Sequence, residues 1–124
     1  MAIKKVNVHG GHNPAGKIAC GAKGLLDESK EDRKVAKAVI KYLRKAGVTV
    51  YNCTVSNGTS KRDVLKKICA KCNQNGVDFD VSVHLNSGRN DHKGDKKLGG
   101  FEVWATAFSG IKKAPDLSEA FLLL

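Results

Sequence analysis

His12, Glu28 and His84 are the residues of this chain whose types could do chemistry together. Two imidazoles and one carboxylate form a ligand set for zinc. Structural zinc sites usually close the tetrahedron with four protein donors, whereas three nitrogen and oxygen donors leave a corner for water, whose pKa the metal lowers towards neutrality. In a chain with four histidines some trio can always be chosen, so the local settings must carry the case. The rival reading takes His12 and His84 as polar loop residues and Glu28 as an acid favoured by a helix macrodipole.

The elements that would position these residues alternate between strand and helix. Ile3 to Val8 is a candidate first strand, ending in His9-Gly10-Gly11-His12-Asn13-Pro14, where paired glycines and a proline punctuate a loop. His12 then falls just past a strand's carboxyl end. After a loop-like stretch from Gly16 to Gly24, Ser29-Lys30-Glu31-Asp32 reads as a capping box opening a helix that runs to about Ala46, with Glu28 immediately before the cap. Val35, Ala36, Val39, Ile40 and Leu43 form its apolar stripe, Lys30, Lys34, Lys37, Lys41 and Arg44 its solvent stripe, and Gly47 its stop.

Val48 to Val55 is a second strand, and Ser60 with Asp63 can cap a second helix whose apolar positions are Val64, Leu65, Ile68, Cys69 and Cys72. Asn75-Gly76 ends it. Phe79, Val81, Val83 and Leu85 then alternate with Asp80, Ser82 and His84 as a period-two strand, which puts His84 near its carboxyl end. A polar loop from Asn86 to Gly100 leads to a short strand over Phe101 to Ala105. The order β-α-β-α-β-β predicts an α/β fold: one domain with a central, mostly parallel sheet and helices on both faces. Ligands of open α/β sheets gather beyond the carboxyl ends of the strands, where His12 and His84 are both expected. The Gly16 to Glu28 connection is long enough to return the carboxylate to the same edge.

The 124 residues suffice for one domain with a hydrophobic core, and no apolar stretch approaches bilayer length. Neither a signal peptide nor membrane insertion is read here, so synthesis in the cytoplasm is expected. A net charge of +10 favours polyanions: nucleic acid, an anionic membrane surface or an anionic cell-wall polymer. Aromatics make up 6% of residues and do not interleave with basic positions, which argues against a nucleic-acid stacking platform. Cys20, Cys53, Cys69 and Cys72 are too few for a disulfide framework, and Cys69-Ala70-Lys71-Cys72 reads as two small hydrophobes on a buried helix stripe. His9 is a strand-end residue or a further contact to the metal or its ligands, and His92 a solvated loop residue.

Val8-His9-Gly10-Gly11-His12, Gly21-Ala22 and Gly24 ahead of Glu28, Val83-His84-Leu85-Asn86-Ser87 and Gly100-Phe101-Glu102-Val103 occur in an order and context that resembles the zinc-dependent N-acetylmuramoyl-L-alanine amidases of bacterial cell walls and phage endolysins. The resemblance covers roughly residues 3 to 108. It implies Zn2+ held by His12, Glu28 and His84, with Asn86 lining the substrate groove, and cleavage of the amide joining N-acetylmuramic acid to L-alanine. Peptidoglycan muropeptides would be the substrate, anionic cell-wall polymers a further partner, and the cell wall the place of action. Such amidases carry a second glutamate in a later strand as general base. Neither Glu102 nor Glu119 matches it, so the catalytic base is unassigned, and residues 1–124 read as an amidase catalytic domain lacking a C-terminal helix and strand. A non-catalytic zinc-containing peptidoglycan-binding remnant and a basic nucleic-acid-binding domain are the alternative readings.

Overall fold

The computed structural model describes residues 2–85 and, for the remainder, the backbones of residues 104–107 and 110–113. Its elements are β1 (Lys5–Gly10), α1 (Glu28–Lys45), β2 (Thr49–Asn52), α2 (Lys61–Asn73), β3 (Phe79–Val83), β4 (Trp104–Ala107) and β5 (Gly110–Lys113). β1, β2 and β3 form a parallel three-stranded sheet in the order β2-β1-β3, with Val8 opposite Asn52 on one side and Val81 on the other. This is the α/β arrangement expected from the alternating pattern.

The central strand shows why. Val6 and Val8 point to one face, where Ala36 and Ile40 of α1 and Val50 of β2 complete a buried cluster. Asn7 points to the other and is also fully buried, donating to the Cys72 carbonyl of α2 at 3.1 Å and to Asp80 Oδ1 at 2.7 Å while accepting from Asn75 Nδ2 at 2.9 Å. The helices therefore cover opposite faces, as right-handed crossovers require when β2 and β3 flank β1 on opposite sides. A second apolar cluster, Val55, Val64 and Ile68, seats α2.

Several boundaries and faces differ from the sequence expectation. α1 starts at Glu28 with Asp27 as N-cap residue, so Ser29 and Asp32 are buried helical residues rather than a capping box. The loop decides this: the Glu28 amide donates to the Ala22 carbonyl at 3.0 Å, fixing where the chain turns into the helix. Val35 is exposed, because α1 meets the sheet along Glu28, Asp32, Ala36 and Ile40, a narrower stripe than its apolar residues suggest. Gly47 does end α1, at φ +83°. β2 is shorter than expected, and α2 begins with the expected Ser60 cap, whose hydroxyl accepts from the Asp63 amide at 3.1 Å.

Leu65 and Cys69 are exposed rather than buried, so Cys69-Ala70-Lys71-Cys72 is not a buried pair. Cys72 alone of the two turns inward. Burial, together with hydrogen bonding to Cys53, pushes its thiol up to about 12, where it is inert as a nucleophile. β4 and β5 form an antiparallel hairpin pairing Trp104 with Lys113. β4 overlaps the expected strand over Phe101 to Ala105, of which residues 101–103 lie outside the described residues, and β5 has no counterpart in the sequence reading. No helix among the described residues is long and apolar enough to cross a membrane.

Candidate metal centre

The site forms where the strand order reverses, beyond the carboxyl ends of β1 and β3. The parallel ladder continues one residue past β1, with the Gly11 amide donating to the carbonyl of Val83, the last residue of β3, at 3.1 Å. That bond sets Gly11 beside His84, and His12 follows directly. Glu28 enters from above as the first residue of α1.

Side chains far apart in sequence converge here. His12 Nε2 lies 3.0 Å from Glu28 Oε1 and 3.1 Å from His84 Nδ1, and His84 Nδ1 lies 3.4 Å from the same carboxylate oxygen. The imidazole rings meet edge to face, with centroids 4.7 Å apart. Protons alone satisfy this triangle poorly. If both imidazoles donate to Oε1, their N–H groups oppose each other; if they bond to each other, one loses the carboxylate. Donors at about 2.0–2.1 Å from a tetrahedral zinc are about 3.3–3.4 Å apart, close to the separations here. Among the described residues, this is the one His/Cys/Asp/Glu group whose donor atoms could share a metal.

Glu28 and the loop that carries His12 are each held from behind. Glu28 Oε2 accepts from the Ala22 amide at 2.8 Å, and Oε1 from the Leu85 amide at 3.1 Å. Burial pushes the Glu28 carboxyl up, but those two amides and the neighbouring His12 outweigh it, leaving it below the ordinary carboxylate range. It therefore stays charged. Arg33, from the second turn of α1, donates to the His12 carbonyl at 2.7 Å and to the Val55 carbonyl, tying the His12 loop to the segment that follows β2.

Asn13 fixes the same loop from the other side. Its Nδ2 donates to the carbonyls of Ile18 at 2.8 Å and Gly58 at 2.7 Å, and its Oδ1 accepts from the Gly58 amide at 3.0 Å. Asn13 is fully buried, so these groups have no water to fall back on. Asn13→Ala is expected to lower stability by about 3 kcal/mol, summed over the groups it orphans. Equilibrium urea unfolding would measure it, and a loss under about 1 kcal/mol would show the loop to be held otherwise.

Glycine makes the convergence sterically possible. A Cβ on Gly11 would sit 1.8 Å from His84 Cε1, and one on Gly21 would sit 2.6 Å from Glu28 Oε2 and 2.8 Å from His12 Cδ2. Gly21 also adopts φ +80°.

The structure thus brings together His12, Glu28 and His84, the trio singled out from the sequence. His9 is not among them: its side chain is buried, Nδ1 has no partner among the described residues, and desolvation lowers its pKa. Asn86, His92, Glu102 and Glu119 lie outside the described residues. The sequence reading missed Arg33, Asn13 and the amides of Ala22 and Leu85. Backbone amides carry no sequence signal, and Arg33, five residues beyond Glu28, falls outside the i, i+3 and i, i+4 spacings that put side chains on one helix face.

A family model described as N-acetylmuramoyl-L-alanine amidase matches residues 7–120. An uncharacterized protein of Clostridium perfringens is 36% identical over 90 residues, covering 73% of this chain and 26% of its own length. An uncharacterized 38.4 kDa protein of Clostridium perfringens is 41% identical over 81 residues, covering 65% of this chain and 22% of its own. The chain spans about a quarter of the length of these relatives.

Proposed function

The chain belongs to the N-acetylmuramoyl-L-alanine amidase family, and on that premise we propose that it is the catalytic domain of a zinc-dependent peptidoglycan hydrolase. Its substrate is the amide joining the lactyl group of N-acetylmuramic acid to L-alanine. His12, Glu28 and His84 are the zinc ligands. The observation that carries this reading is the mutual approach of three donor atoms to 3.0–3.4 Å around one point.

Zinc on three protein ligands would supply Lewis acidity towards the scissile carbonyl and a water acidified enough to attack it near neutral pH. The chain's own residues prepare that chemistry. Glu28 contributes one negative charge and is kept ionised by the Ala22 and Leu85 amides. Arg33 and Asn13 hold the His12 loop, so the ligand geometry exists before substrate arrives. Asn86, two residues after the last ligand, would line the muropeptide groove. The net charge of +10 suits a wall rich in anionic polymers, where the domain would act.

The test is zinc stoichiometry by elemental analysis on the folded chain, paired with a peptidoglycan-release assay before and after chelation. One equivalent of zinc and release of stem peptide that stops on chelation and returns with zinc are the expected results. A folded chain that binds no zinc would overturn the proposal. Zinc and muropeptide binding without release would reassign the domain to recognition rather than hydrolysis.

A further inference from the structure

A second cavity lies between α1 and the segment that follows β2. From Asn52 onwards the chain alternates: Cys53 and Val55 turn into the core, while Asn52, Thr54 and Ser56 fall on the other side. Opposite them α1 presents Arg33, Ala36, Lys37 and Ile40, spaced as one helix face. These seven residues line a cleft of about 300 Å³, at the small end of the range for ligand sites.

The hydrogen-bonding state of its side chains indicates what it would take. Each side-chain oxygen of the lining already accepts from the protein: Asn52 Oδ1 from the Thr54 amide at 3.0 Å, Thr54 Oγ1 from the Gly10 amide at 3.2 Å, and Ser56 Oγ from Arg33 Nη1 at 3.3 Å. Among the described residues, no hydrogen bond or ion pair engages Asn52 Nδ2, the hydroxyl protons of Thr54 and Ser56, or Lys37 Nζ. No carboxylate lines the cleft. What remains free is donors and positive charge, the complement of an oxyanion with several acceptor oxygens.

The face around the cleft narrows the class. Lys30, Lys34 and Lys41 lie seven and three residues before and four after Lys37, so all four share one exposed stripe of α1, on which Lys34 also meets Glu31 at 2.7 Å. A row of cations suits a ligand whose charge repeats rather than a single small anion. Ala36 and Ile40 are the buried aliphatic members of the lining, and none of the seven residues is aromatic, so a nucleobase has no ring to stack on. We propose that this cleft is a binding subsite for a polyol phosphodiester chain, with one phosphate held by Lys37, Asn52, Thr54 and Ser56 and the adjoining phosphates followed by Lys30 and Lys41. Finding such a polymer in the cell wall rests on the reading above, whereas the binding chemistry does not involve the metal. Arg33 lines this cleft and also donates to the His12 carbonyl, so the subsite adjoins the loop of the candidate metal centre.

The probe is a short synthetic glycerol phosphate oligomer, titrated calorimetrically into the folded chain at physiological ionic strength beside a single-stranded DNA oligonucleotide of equal phosphate number. Three variants each make the chain one charge less positive: Lys37→Gln, Asn52→Asp, which keeps the oxygen facing the Thr54 amide, and Lys66→Gln, exposed on α2 and outside the cleft. All three positions are exposed, so thermal midpoints should stay near that of the wild type. The expected result is a loss of about 10-fold in affinity for the oligomer in Lys37→Gln and in Asn52→Asp, against less than about twofold in Lys66→Gln. Equal losses in all three would reduce the binding to net charge and overturn the proposal, as would a wild type that does not bind the oligomer. DNA bound as tightly as the oligomer, with the same losses in the cleft variants, would overturn the polyol class in favour of nucleic acid. A chain that binds no zinc or releases no peptide would bring down the hydrolase reading and leave these binding results as they stand, so the two failures are distinguishable.

Discussion

His84→Ala is expected to abolish the stabilisation of the folded chain by zinc while leaving the metal-free protein nearly unchanged. The wild type at zinc one hundred times its Kd should gain about 2.7 kcal/mol, by mass action on the folded state alone. For a domain of this size that corresponds to a rise of about 10 °C in thermal midpoint. His84 suits the test because its side chain is 45% exposed, at the end of β3, so its removal opens no cavity and should cost under about 0.5 kcal/mol. Glu28 suits it less, since its oxygens also receive the Ala22 and Leu85 amides and a loss there mixes folding with binding. A zinc-induced rise in the His84→Ala protein equal to that of the wild type would remove His84 from the ligand set.

Gly11→Ala is expected to do nearly the same harm without touching any ligand. The added methyl would fall 1.8 Å from Cε1, 2.0 Å from Nε2 and 2.6 Å from Nδ1 of His84, separations that atoms cannot hold. Gly11 has no left-handed backbone conformation to be strained, unlike Gly21 at φ +80°, so the conflict falls on the imidazole. The ring can yield by swinging into solvent. Zinc affinity should therefore fall by about 10²-fold or more, beyond the usual range for a group that only supports a ligand, with a stability loss of about 1 kcal/mol. Titration calorimetry and chemical unfolding on the same sample separate the two effects. Wild-type affinity in Gly11→Ala would mean that the ring does not rest against this glycine in solution.

The sequence made the strands and helices legible because their signals are local. β1 and β3 could be read from β-rich runs closed by glycine or polar turns, and α2 from a serine cap and an apolar stripe. The stripe itself misled where apolar residues outnumber the buried positions. Val35, Leu65 and Cys69 have the right periodicity and face solvent, because a three-stranded sheet offers each helix only a narrow contact. The start of α1 was displaced for a similar reason. Asp27 and Ser29 are both good capping types, and the choice was made by the Ala22–Glu28 backbone bond, which no local pattern encodes.

What the sequence alone determined is the donor set and its setting: histidines expected just past two strand ends, a glutamate at a helix start, and glycines where ligands must approach. Propensity and side-chain chemistry act over a few residues and suffice for that. Only the tertiary structure decided that the three donors approach one point and that Arg33 and Asn13 brace the His12 loop. His12 and His84 are 72 positions apart, and their meeting depends on the β2-β1-β3 order and on a register carried one bond further, from the Gly11 amide to the Val83 carbonyl. A shift of one residue in that register would turn alternate side chains to the other face and take His84 away from the site.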